Sequence, residues 1–76
     1  MENKEYQKII KEIAEAKSEN EFYEDEIKSL QYEEEIMSYQ SSIRENEEFI
    51  ESKYAELIRA GYKRENIDAD IELEIQ

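Results

Sequence analysis

An apolar stripe governs what the first half of this chain can become. Stepping from Tyr6 alternately by three and four residues gives Tyr6, Ile9, Ile13, Ala16, Asn20, Tyr23, Ile27 and Leu30, and all but Asn20 are apolar or aromatic. A repeat of about 3.5 residues held over more than three heptads is the seam of a helix packed on another helix. The chain has no Pro and a single Gly, Gly61, with abundant Glu and Lys, so little interrupts long helices. Disorder is the competing outcome, because 42% charged residues and a net charge of −12 are its signature. The seam argues against it. Asn20 within the seam is either a register-fixing polar contact or a frayed or capped position.

A second seam runs through Ile36, Ile43, Ile50 and Leu57, flanked by Tyr39, Phe49, Tyr54 and Ile58. It is out of phase with the first, whose continuation past Leu30 lands on Glu34, Met37, Ser41, Arg44 and Glu48. The apolar face therefore rotates between residues 31 and 42. Ser42 followed by Glu45 is a capping-box pattern, with Ser41 as an alternative cap, which places a turn there. The second helix stops at Gly61, a left-handed C-cap residue with Tyr62 just after it.

Beyond Gly61 the period changes. Ile67, Ala69, Ile71, Leu73 and Ile75 alternate with Asp68, Asp70, Glu72 and Glu74. A helix starting at Asn66 would align Ile67, Ile71 and Ile75, whereas a strand uses all five apolar positions, and β-branched Ile favours the strand. The expected fold is mainly α: a helical hairpin or coiled coil with a short C-terminal β-strand. Residues 1–76 form a single small domain, with helix 3–38, a turn near 39–42, helix 43–60, loop 61–66 and strand 67–75. One continuous helix over 3–60 in a parallel dimer is the structural alternative.

Seventy-six residues bury little surface, and chains this small lean on disulfides, metals or partner chains. There is no Cys and no His. The unequal helices leave the Ile face of residues 3–20 without cover, and a lone strand cannot satisfy its own backbone. A homodimer or a host protein is expected, with Ile67, Ile71, Leu73 and Ile75 as the strand-pairing or oligomer residues.

Catalysis is not expected. Nucleophiles lack an activating His, and two helices cannot build the pocket that raises a carboxyl pKa. The alternating acids of "DADIELE" lack the Gly and the closing Glu of a calcium loop, and Glu-x-x-His pairs are absent; no metal and no cofactor are expected. No apolar run approaches a membrane span, and the charged N-terminus is no signal peptide, which points to a soluble, cytoplasmic protein.

The acids carry the functional expectation. Residues 1–17 are neutral, 18–56 carry net −10, 57–64 net +3 and 65–76 net −5. Direct contact with nucleic acid or an anionic membrane is disfavoured, and a basic partner surface favoured. The candidate acidic contacts are Glu21, Glu24, Asp25, Glu26, Glu33, Glu34, Glu35, Glu47, Glu48 and Glu51. Phe22 and Tyr32, off the first seam, are the candidate aromatic anchors. Solvated helix faces normally mix signs, yet Glu24–Lys28 is nearly the only supporting pair between residues 18 and 56, and Glu47–Glu51 is a like-charge pair. Two such stretches side by side would carry one charge per roughly 3 Å at helical rise, against one per about 1.7 Å in duplex DNA.

In size, charge and lack of catalytic residues the chain resembles the small acidic proteins with which phages disable host enzymes, anti-CRISPR proteins and nuclease inhibitors among them. The likeness covers no alignable stretch and carries over no residues. The function expected is a small acidic inhibitor or regulator that occludes a basic, nucleic-acid-binding surface of a larger protein, as a DNA mimic would. The alternative is a homo-oligomeric coiled-coil adaptor or assembly protein, in which the seams and tail do the work. A third is an antitoxin-like or chaperone-like partner whose tail augments the sheet of one cognate protein.

Overall fold

The computed structural model describes residues 2–76 and is all-α: α1 Asn3–Ser29, α2 Glu33–Arg59 and α3 Arg64–Ile75. The helical hairpin is present, formed by two 27-residue helices. α3 lies against their open end, away from the turn, chiefly on α1 and only sparsely on α2. The molecule measures 45 × 23 × 19 Å along its principal axes.

The hairpin turns earlier than its capping pattern suggests. The sequence places the break near 39–42; it falls at Leu30–Tyr32, where Leu30 and Tyr32 are both extended. The first seam ends at Leu30 and the second begins at Ile36, so the turn sits in the gap between them. Glu33, Glu34 and Glu35 occupy the first turn of α2, where carboxylates favour the positive end of the helix dipole. Lys28 sits correspondingly in the last turn of α1. The Ser42–Glu45 pattern lies inside α2 and caps nothing. Asn20 fixes the pairing across the hairpin: its Nδ2 donates to the Ile43 carbonyl at 3.4 Å, and its Oδ1 accepts from Asn46 Nδ2 at 2.9 Å.

Gly61 ends α2 as expected. It adopts φ 104°, and a Schellman pair closes the helix: Tyr62 N–H donates to Leu57 O at 3.1 Å and Gly61 N–H to Ile58 O at 3.0 Å. No atom lies within 4 Å of where a Cβ would stand at Gly61, so the demand for glycine there is one of backbone conformation alone.

The expected strand over 67–75 is a helix. Ile67 and Ile71 are 0% and 1% exposed, whereas Leu73, on the same face as Ile71 in a strand, is 71% exposed. The stripe is thus i, i+4, with Ile75 continuing it at 45% exposure. The physical reason is tertiary. A helix satisfies its backbone within itself, a lone strand does not, and the bare Ile face of α1 rewards residues four apart. Ile67 and Ile71 join Tyr6, Ile9, Ile10 and Ile13 of α1 with Tyr54 and Leu57 of α2 in one core, against which Ile50 and Tyr62 pack. The overhang of residues 3–20 expected from unequal helices does not exist, because α1 and α2 are equal in length; the Ile face of α1 is covered by α3.

Two tyrosines pin α3. The Tyr6 hydroxyl donates to Asp70, and the Tyr54 hydroxyl donates to Asp68 Oδ1 at 2.5 Å. Tyr6 also stacks on Tyr62, centroids 4.2 Å apart. Burial first, and then the carboxylate partner, push both phenols above the usual tyrosine pKa.

Candidate functional site

α3 is 12 residues long, so it covers only part of the hairpin. Among the described residues, α2 has no buried side chain before Tyr54. The far half of the hairpin is two helices deep. There Tyr23 and Tyr39 meet at 5.4 Å between centroids, half-buried together with Ile27, Ile36 and Ile43. Phe22 (57% exposed) and Tyr32 (71%) project outward from this half, as does Met37. The two aromatics do not form one patch by contact: Phe22 packs edge-on to Tyr23 at 5.9 Å, and Tyr32 sits in the turn as the residue preceding α2.

The acids stand outward. Glu21, Glu24, Asp25, Glu33, Glu34, Glu35, Glu47, Glu48 and Glu51 are exposed, and Glu26 is half-buried. The hairpin divides them. Asp25, Glu26 and Glu33–Glu35 flank the turn, and the last three have a local helix-starting role besides any contact. Glu21 and Glu24 of α1 come together with Glu47 and Glu51 of α2 on a cleft of about 800 Å³ where α3 stands away from α2. α3 adds Asp68 and Glu72 to its walls, and Ile50 and Ile75 contribute apolar surface over the buried Ile71.

Sequence reasoning missed the α3 side of this cleft because it placed residues 67–75 in a strand. The available signal was the spacing: Asp68, Ile71, Glu72 and Ile75 sit at i, i+3, i+4 and i+7, one face of a helix. Ile67 and Ile71, expected to pair with another chain, are core residues instead. Leu73 and Ile75 remain exposed.

The cleft's electrostatics are one-sided. Lys17 reaches it, but its ammonium is engaged with Tyr54, 3.4 Å from the hydroxyl and 5.6 Å from the ring centroid. Among the described residues no group of three carboxylates is placed to hold a metal ion. The acids form a spread field rather than a coordination site. No described helix is long and apolar enough to cross a membrane. Comparison with family models, with curated proteins and with solved structures finds no match to the chain.

Proposed function

We propose that the protein is a small acidic inhibitor or regulator that binds a larger protein and occludes a basic surface, one that otherwise engages nucleic acid. The observation that carries this reading is the lack of internal counter-charge. Among the described residues the ion pairs are Lys28–Asp25 at 3.7 Å and Lys53–Glu56 at 3.4 Å, each within one helix. Neither of these crosses between helices, and Glu21, Glu24, Glu47 and Glu51 are exposed. A net charge of −12 over 45 Å is one per about 4 Å, within a factor of about two to three of duplex DNA. DNA mimicry of the anti-CRISPR or nuclease-inhibitor kind, acting on a cytoplasmic host enzyme, is the finer form of the proposal.

The rival reading, a homo-oligomeric coiled-coil adaptor, rests on an Ile face that needs a twin chain. α3 supplies that cover within one chain, so the rival loses its main support. The discriminating test is a fourfold charge reversal, Glu21→Lys, Glu24→Lys, Glu47→Lys and Glu51→Lys. Helical circular dichroism stays intact while partner binding at physiological salt is lost. Unchanged partner affinity would remove the proposal.

A further inference from the structure

We infer that the cleft between α2 and α3 is the seat of a basic amphipathic helix from the partner protein, about two turns of it. This rests on the reading of the protein as an acidic ligand and specifies what it binds. α1 and α3 each line the cleft with positions i to i+7, a run of about 10 Å or two helical turns. The rims are Glu21 and Glu24 on α1, Glu47 and Glu51 on α2, and Asp68 and Glu72 on α3; between them lie half-buried Ile50 and exposed Ile75, with the core residue Ile71 beneath. An apolar floor under acidic rims complements a helix with one apolar face and Lys or Arg flanking it, the long basic stems lying along the walls.

Charge decides among occupants. A second copy brings net −12 against a rim of the same sign, and like-charge juxtaposition costs several kcal/mol. A nucleic acid is repelled for the same reason. Lys17 offsets one of the six rim carboxylates (Glu21, Glu24, Glu47, Glu51, Asp68 and Glu72) and leaves the cleft strongly negative. A single Lys or Arg side chain leaves most of a cleft of about 800 Å³ empty and Ile50 and Ile75 wet.

The test titrates a synthetic helical peptide into the isotope-labelled full chain at physiological ionic strength and follows the backbone amides by NMR. The probe carries Leu at i, i+3, i+4 and i+7 and Lys elsewhere; its control has the same composition in scrambled order. Expected are saturable shifts confined to residues 17–24, 47–51 and 68–75, and about tenfold weaker binding of the scrambled peptide, the loss that follows when an apolar anchor face is removed. Glu47→Lys with Glu51→Lys weakens the probe by at least about tenfold while the circular dichroism is unchanged. Equal affinity of the two peptides, with shifts spread over the whole acidic surface, overturns the seat and leaves the acidic-ligand reading standing. Shifts centred on the hairpin turn also overturn the seat. No binding of either peptide at low salt overturns both.

Discussion

Replacing Ile71 by Ala and, separately, Leu73 by Ala separates a helical C-terminal segment from a strand in one experiment. In a strand the two residues share a face and their losses would be comparable. In the structure Ile71 is 1% exposed and Leu73 71%. Burying a large aliphatic side chain is worth about 1.5–3 kcal/mol in transfer alone, and truncating it to Ala costs about 2–5 kcal/mol once the cavity is included. Ala gains a few tenths of a kcal/mol in helix propensity over Ile, so Ile71→Ala should lose about 2–4 kcal/mol. Exposed Leu73→Ala should stay within about 0.5 kcal/mol. A domain of this size has roughly 4–11 kcal/mol in all, so the first variant approaches the unfolding threshold and the second does not. Urea unfolding followed by circular dichroism at two protein concentrations reads both. The Ile71 loss should be independent of concentration, because its core lies within one chain. Comparable losses at both positions, or a loss that deepens on dilution, would refute the packing of α3 described here.

Other consequences follow from the same structure. Tyr6→Phe and Tyr54→Phe should each cost about 1 kcal/mol, since the abandoned Asp70 and Asp68 are near enough to the surface to rehydrate; denaturant midpoints measure it. Both phenols titrate above their unfolded value of about 10, so the stability they contribute is complete below that pH and is lost as pH rises beyond it. The double Phe variant should show a shallower alkaline loss in a pH series of melts. Gly61→Ala should destabilise by about 1–2 kcal/mol through its left-handed backbone, although the side chain meets nothing. Added salt should raise the melting temperature of the free protein by screening self-repulsion among its acids.

Much of the architecture was written in local pattern. The two seams, the hairpin and the Gly61 cap are all readable from spacing and from one glycine. The position of the turn was not, because two features competed. Ser42–Glu45 has the form of a helix start and is not used, while Glu33–Glu35 start α2 by charge alone and read as one more acidic run. The tail was undecidable locally. Its five alternating apolar residues contain the i, i+4, i+8 Ile stripe, and only the uncovered face of α1 selects the helix. The acids of the hairpin were legible as exposed groups; that four of them share a cleft with Asp68 and Glu72 depended on the placement of α3.

The proposed function requires this acidic surface to take the place of nucleic acid on a basic protein. The direct measurement is competition: a basic protein retained by the immobilised chain at physiological salt is challenged with duplex DNA, and its DNA binding is assayed with the chain present. Release by DNA, loss of DNA binding in proportion to added chain, and dissociation at roughly 1 M salt, where screening acts within about 3 Å, are the predicted results. A complex that forms with DNA still bound, unaffected by salt or by reversal of Glu21, Glu24, Glu47 and Glu51, would contradict it.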